Sequence, residues 1–119
     1  MTTREKGKHA EDLTFKYLQQ QGMKPLSRNY TTRCGEIDLI KQDKDCLVFV
    51  EVRYKKNHQF VKGSASVDAK KQGKLIRTAQ HYLQNNNIGI DTSARFDIIS
   101  TTHIQNVEDI DWLKNAFTA

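Results

Sequence analysis

The stretch Leu47-Val48-Phe49-Val50-Glu51-Val52 constrains this chain most tightly. Consecutive apolar residues rich in Val and Phe make a strand covered on both faces, which requires a sheet with a layer on either side. Glu51 interrupts the run where an acid is unfavourable. An ionised carboxylate there must be paired, hydrogen-bonded or bound to a metal, or its pKa rises until it is neutral. At 119 residues the chain has room for one such core and not for two, so a single layered α/β unit over residues 1–119 is expected.

A second β-like run, Gly35-Glu36-Ile37-Asp38-Leu39-Ile40, precedes the first across the polar group Gln42-Asp43-Lys44-Asp45. That pattern predicts an antiparallel hairpin. An even loop centred between Lys44 and Asp45 sets Asp38 directly across from Glu51, whereas centring it one residue earlier makes them diagonal neighbours on the same face. An odd loop removes the relation. Directly opposed residues have Cβ atoms ~4.5 to 5.5 Å apart, and two acids that close repel unless a proton or a cation lies between them. Alternation puts Glu51 on one face with Phe49 and Arg53, and Val48, Val50 and Val52 on the other.

Around this hairpin the remaining elements follow from periodicity. Ala10, Leu13, Tyr17 and Leu18 recur at helical spacing and predict a helix from Lys6 to Gln21, closed by Gly22 and Pro25. Glu11 falls between Leu18 and Phe15 on its core-facing side, either as a flank residue that pairs with a base or reaches solvent, or as a functional acid. Residues Met23 to Arg33 form a connector into a short edge strand at Tyr30-Thr31-Thr32. A second helix begins near Val67, with Leu75, Ile76, Ala79, Tyr82 and Leu83 apolar, and ends at Asn85-Asn86-Asn87 and Gly89. Arg95 to Ser100 reads as a further strand, and Ile110 to Phe117, carrying Trp112, as a short terminal helix. The segment from Lys55 to Ser66 has no period and ends in Gly63-Ser64-Ala65-Ser66, which suggests a mobile loop able to close over a substrate.

No segment approaches the ~18 apolar residues of a membrane span, and the charged N-terminus lacks a signal core, so a cytoplasmic protein without membrane contact is expected. Cys34 and Cys46 read as free thiols, with no zinc-ligand spacing around them. The formal net charge is +5, and it is concentrated. Between Arg53 and Arg77 stand eight basic residues, including Lys55, Lys56, Lys70, Lys71 and Lys74, against the single acid Asp68. Such a segment suits nucleic-acid phosphates, although a solvated helix face also explains Lys70, Lys74 and Arg77.

Asp and Glu oxygens from two strands are suited to a magnesium or manganese ion, which polarises a phosphoryl oxygen and makes water more acidic. Arg53, on the Glu51 face, is placed to stabilise negative charge on phosphoryl oxygens but stays protonated and is a poor base. A carboxylate such as Glu11 is a better proton acceptor.

Glu11, Arg28-Asn29-Tyr30, Gly35-Glu36-Ile37-Asp38-Leu39-Ile40, Val48-Phe49-Val50-Glu51-Val52-Arg53, Lys71-Gln72 and Arg95-Phe96-Asp97 together resemble the YraN family of small bacterial proteins. That family is in turn similar to archaeal Holliday junction resolvases and the PD-(D/E)xK nucleases. The resemblance implies a restriction-endonuclease-like fold, a central mixed sheet flanked by helices. It implies Asp38 and Glu51 as metal ligands with the Val52 carbonyl, Glu11 as the helical acid, and Lys71 and Gln72 near the substrate. It also implies DNA, branched or otherwise structured, as substrate, and a homodimer by analogy with resolvases. The chain departs from the nuclease motif at Arg53, where that motif has lysine, and Lys71 or Gln72 is the candidate to compensate. Two other readings remain: a nucleic-acid-binding module that keeps the fold without cleavage, and an interaction domain whose acids pair with neighbouring bases.

Overall fold

Thr2 and Glu5 begin the first helix by capping each other: the Glu5 amide donates to Thr2 Oγ1 at 3.2 Å, and the Thr2 amide donates to Glu5 Oε1 at 3.3 Å. This capping box carries helix α1 back to Thr3, so it spans Thr3–Gln20 and starts earlier than its apolar period suggests. Gly22, at φ 91, then turns the chain out in a conformation that favours glycine. The computed structural model describes residues 2–54, 67–89, 91–101 and 110–118.

Strands β1 (Lys24–Thr32), β2 (Gly35–Asp43) and β3 (Cys46–Tyr54) follow as a meander, then helix α2 (Ala69–Asn85), strand β4 (Ala94–Thr101) and strand β5 (Ile110–Phe117). The sheet order is β1-β2-β3-β4-β5, with β3 and β4 parallel and the other pairs antiparallel. This is the mixed sheet expected. Strand β1 is at the edge, as anticipated, but extends back to Lys24 because its first residues pair with Gln42 and Lys41. Pro25 and a register shift between Pro25 and Ser27 are tolerable at an edge.

The two faces of β3 build the two layers of the core. Leu47 and Phe49 pack with Ile37, Ile40, Leu75, Ala79, Tyr82, Phe96 and Ile98 beneath α2. Val48 and Val50 pack with Leu18, Met23, Leu39 and Ile99 beneath α1. The run of apolar residues is therefore a strand covered on both sides. Among the described residues no helix is long and apolar enough to cross a membrane, and Cys34 and Cys46 are free thiols.

The C-terminal segment corrects the sequence reading: Ile110–Phe117 is a strand, not a helix. Its pairing with β4 sets Leu113 against Ile98 and Trp112 against Ile99, then shifts register so that Phe117 meets Phe96. The shift falls at Asn115, whose φ is 52. Such a bulge breaks the period of two, and the resulting spacing of Trp112, Leu113, Ala116 and Phe117 imitates a helix. Asp97 pins the bulge. Its buried carboxylate accepts from Trp112 Nε1 at 2.9 Å, the Asn115 amide at 2.9 Å and Arg95 Nε at 3.0 Å, while Arg95 also reaches Asp43 at 3.0 Å.

Lys41 is wholly buried beneath α1, where its ammonium donates to the Phe15 carbonyl at 3.2 Å and lies 3.9 Å from the Phe15 ring centroid. Burial, aided by the charge of Arg28, lowers its pKa to about 8. Below that pH both folded and unfolded chains hold the proton. As pH rises from about 8 toward the ordinary 10.5, the folded chain releases it first, so stability should climb across that window. Denaturant titrations at pH 7.5 and 10 should show the climb in the parent and not in Lys41→Met; equal climbs would rule it out.

Candidate active site

The β2–β3 ladder pairs Asp43 with Cys46, Gln42 with Leu47, and so on to Leu39 with Val50. Lys44 and Asp45 form the two-residue loop, Lys44 at φ 55, so the even-loop register holds and its continuation sets Asp38 against Glu51. The ladder itself stops one step earlier. Where backbone pairing ends, Asp38 Oδ2 accepts the Val52 amide at 2.8 Å, so a side chain takes over from the strand. On the other side of β2, Asn29, at φ 55, leaves a matching gap between the pairs Arg28–Leu39 and Tyr30–Ile37. The irregularity turns Arg28 toward α1 and Tyr30 toward α2.

Burial and the neighbouring Glu51 carboxylate push Asp38 up to about 8, against the opposing pull of the Val52 amide and Lys71. Glu51 is only 6% exposed, and its Oε2 has no hydrogen-bond partner. The Lys71 ammonium of α2 stands 3.3 Å from that oxygen, close enough for an ion pair but without hydrogen-bond alignment. Lys71 is 42% exposed, so water screens much of its charge.

Helix α1 brings Glu11 inward, its side chain 15% exposed, where Arg28 Nε donates to it at 2.8 Å. The same guanidinium pairs with Asp12, whose carboxyl it holds below the usual range. Glu36, quoted in the sequence without a role, belongs with these acids: desolvation first, then the charges of Asp38 and Glu11, push its carboxyl up. The signal for it was present in the Gly35-Glu36-Ile37-Asp38 run. Arg28 as the partner of Glu11 was not legible, since the two are brought together only by packing of α1 on β1.

Arg53 follows Glu51 on β3 opposite Ser100 of β4. Of the expected phosphate-contacting residues, Lys70 and Lys74 are exposed on α2, and Lys71 meets Glu51. The Gln72 amide is engaged at the helix start, donating to the Val67 carbonyl at 3.0 Å. Asp68 caps that start, accepting from the Lys71 amide at 2.8 Å. Lys55 and Lys56, with the loop expected over 55–66, lie outside the described residues. Gly35, where β2 begins beneath α2, has φ 151, a conformation that favours glycine, while a Cβ there would make only ordinary contacts with Lys74 Cβ at 3.6 Å and Thr78 Oγ1 at 3.5 Å.

Two carboxylates beside a strand backbone form an oxygen donor set of the kind magnesium or manganese prefers, and the buried, unbonded Oε2 of Glu51 fits a cation. Among the described residues no group of three or more His, Cys, Asp or Glu side chains is placed to hold an ion. A backbone oxygen and water would complete such a shell.

A single α/β domain with a five-stranded mixed sheet between two helices, and paired acids where its central hairpin opens, defines a restriction-endonuclease-like fold. Residues 10–101 match the uncharacterised protein family UPF0102. The chain is 43% identical to a UPF0102 protein of Nitrosococcus oceani over 98% of its own length and 94% of the relative's. It is 45% identical to one of Saccharophagus degradans over 96% and 93% of the two chains, and 44% identical to one of Legionella pneumophila over 98% of each. This chain belongs to the UPF0102 family, the YraN group that its motifs resemble.

Proposed function

We propose that this protein is a divalent-metal-dependent endonuclease acting on DNA, branched DNA included, in the cytoplasm. The observation that carries the reading is the Asp38–Glu51 pair, two acids forced together at low exposure with one buried carboxylate oxygen unbonded. Asp38, Glu51 and the Val52 carbonyl would hold magnesium or manganese, which supplies Lewis acidity toward a phosphoryl oxygen and acidifies water.

The chain's own groups perform the rest. Asp38 fixes the end of β3 through the Val52 amide, so both acids keep their positions as substrate arrives. Lys71 brings a point charge to Glu51 from α2, which supports it as the replacement for the lysine absent at position 53. Arg53, two residues beyond Glu51, offers its fork to phosphoryl oxygens. Glu11 is a proton acceptor held by Arg28, with Glu36 beside it. Lys55, Lys56, Lys70, Gln72 and Lys74 complete the phosphate contacts. By analogy with resolvases, whose four-way junctions have two cleavage points, two copies would act together.

A second reading, a DNA-binding module without cleavage, is favoured by Arg53 in place of lysine and by the engagement of Glu11 with Arg28. Incubating the purified protein with four-way-junction, linear duplex and single-stranded DNA, with magnesium or manganese, separates the two. Cleavage that stops with a chelator and in Asp38→Asn is the expected result; binding without cleavage selects the module. Lys71→Ala should lose at least about tenfold in rate if it replaces the motif lysine. Loss in Arg53→Ala with Lys71→Ala unaffected would remove Lys71 from that role.

A further inference from the structure

Helix α2 carries four cations, Lys70, Lys71, Lys74 and Arg77, and no acid from Ala69 to Asn85. Helix α1, by contrast, interleaves Arg4, Lys6, Lys8 and Lys16 with Glu5, Glu11 and Asp12. A merely solvated face mixes signs, because like charges one turn apart repel. Lys71 is drawn to Glu51, but among the described residues Lys70, Lys74 and Arg77 pair with no carboxylate.

These cations lie in a line. At about 100° per residue, Lys70, Lys74, Arg77 and His81, all exposed, fall within about 60° of arc and along about 16 Å of helix axis. Gly73 lets Arg77 lie back along the helix, since a Cβ there would meet the guanidinium at 3.3 Å. At the far end, His81 Nδ1 lies 2.8 Å from the Tyr30 hydroxyl and 3.3 Å from Asn85 Nδ2. Asn85 Nδ2 also donates to the Tyr30 hydroxyl at 3.2 Å, so Nδ1 is the engaged edge of the ring. The line thus begins beside the Lys71–Glu51 contact and ends at the His81 imidazole.

We infer that this line, from Lys70 through Lys74 and Arg77 to His81, is a track for one phosphodiester strand of a duplex arm leading away from the carboxylate pair. The arm is duplex rather than single-stranded because single strands need aromatic platforms. Tyr30 has its ring packed edge-on against Tyr82 at 5.2 Å, and among the described residues Leu26 is the one large exposed hydrophobic side chain. The inference rests on the nuclease reading and adds Arg77, His81 and the double-stranded arm to it.

Its test uses Asp38→Asn as parent, so that DNA is bound and not cut. Fluorescence anisotropy of a labelled 16-base-pair duplex is followed over a salt series for the parent, for added Arg77→Ala or His81→Ala, and for added Lys8→Ala with Lys16→Ala on α1. Arg77→Ala should reduce the slope of log affinity against log salt by about 1, and Arg77→Lys should restore it. His81→Ala should weaken binding several-fold, and the α1 pair should change neither affinity nor slope. Thermal melts confirm that each variant is folded. Parental slope and affinity in both α2 variants, an equal slope loss in the α1 pair, or tighter binding of the single strand would each overturn the track while leaving the nuclease reading standing. A parent that binds no DNA removes the nuclease reading itself.

Discussion

Asp38→Asn is expected to give a protein that no longer cleaves yet is more stable than its parent. The carboxyl is pushed up to about 8 by burial and then by Glu51, so above that pH two acids repel at low exposure. Asparagine has the shape of the neutral acid, and its carbonyl can accept the Val52 amide that Asp38 now takes at 2.8 Å. Between the ordinary aspartate value of 3.8 and about 8 the folded chain keeps a proton that the unfolded chain releases. Stability therefore falls as pH rises through that window, and the variant lacks the fall. Urea unfolding should show the two proteins alike near pH 4 and the variant ahead near pH 9. Cleavage should drop by at least about 100-fold, since an electrostatic contact at the reacting phosphate is lost. A variant less stable than its parent at pH 9 would show that the pair is not strained. Stability exchanged for function in this way marks working sites rather than structural ones.

Asp97→Ala should have the largest effect on stability, about 3 to 5 kcal/mol, because removing one partner leaves the other buried groups unsatisfied. Asp97 is 1% exposed and receives Arg95, the Trp112 indole and the Asn115 amide. Such a loss is a large part of the ~5 to 15 kcal/mol that ordinarily holds a domain together. Because Trp112 is the sole tryptophan, its fluorescence reports directly on whether β5 is docked. The expected record is a lower urea midpoint together with a red-shifted native spectrum. Asp97→Asn, which keeps one acceptor oxygen for either the Trp112 indole or the Asn115 amide but not both, and loses the charge facing Arg95, should fall between the two. Near-parental stability of Asp97→Ala would mean that β5 is held by its apolar contacts with Phe96 and Ile98 alone.

Asp97 of the Arg95-Phe96-Asp97 motif is thus a structural group, whereas Asp38 and Glu51 are the pair on which the proposed chemistry rests, although both look alike in the sequence as acids set among apolar residues. What separates them is satisfaction. Asp97 has donors from three side chains or backbone groups, whereas Glu51 keeps a buried oxygen without one.

By itself the sequence determined the two-faced central strand, because only a layer on each side can bury Leu47 to Val50. It also determined that β2 and β3 form a hairpin across Gln42-Asp43-Lys44-Asp45, and the structure selected, among the loops this group allows, the two-residue one at Lys44 and Asp45. Those local rules brought Asp38 and Glu51 to one face for any even loop, and the observed register sets them directly opposite. Only the tertiary structure decided what surrounds them. Glu11 meets Arg28, Lys71 meets Glu51 and Lys41 disappears beneath α1 through contacts between elements far apart in the chain. The last strand was hidden for the same reason. Its spacing obeys a bulge imposed by Asp97, 18 residues before Asn115, and no period within Ile110–Phe117 records a partner outside it.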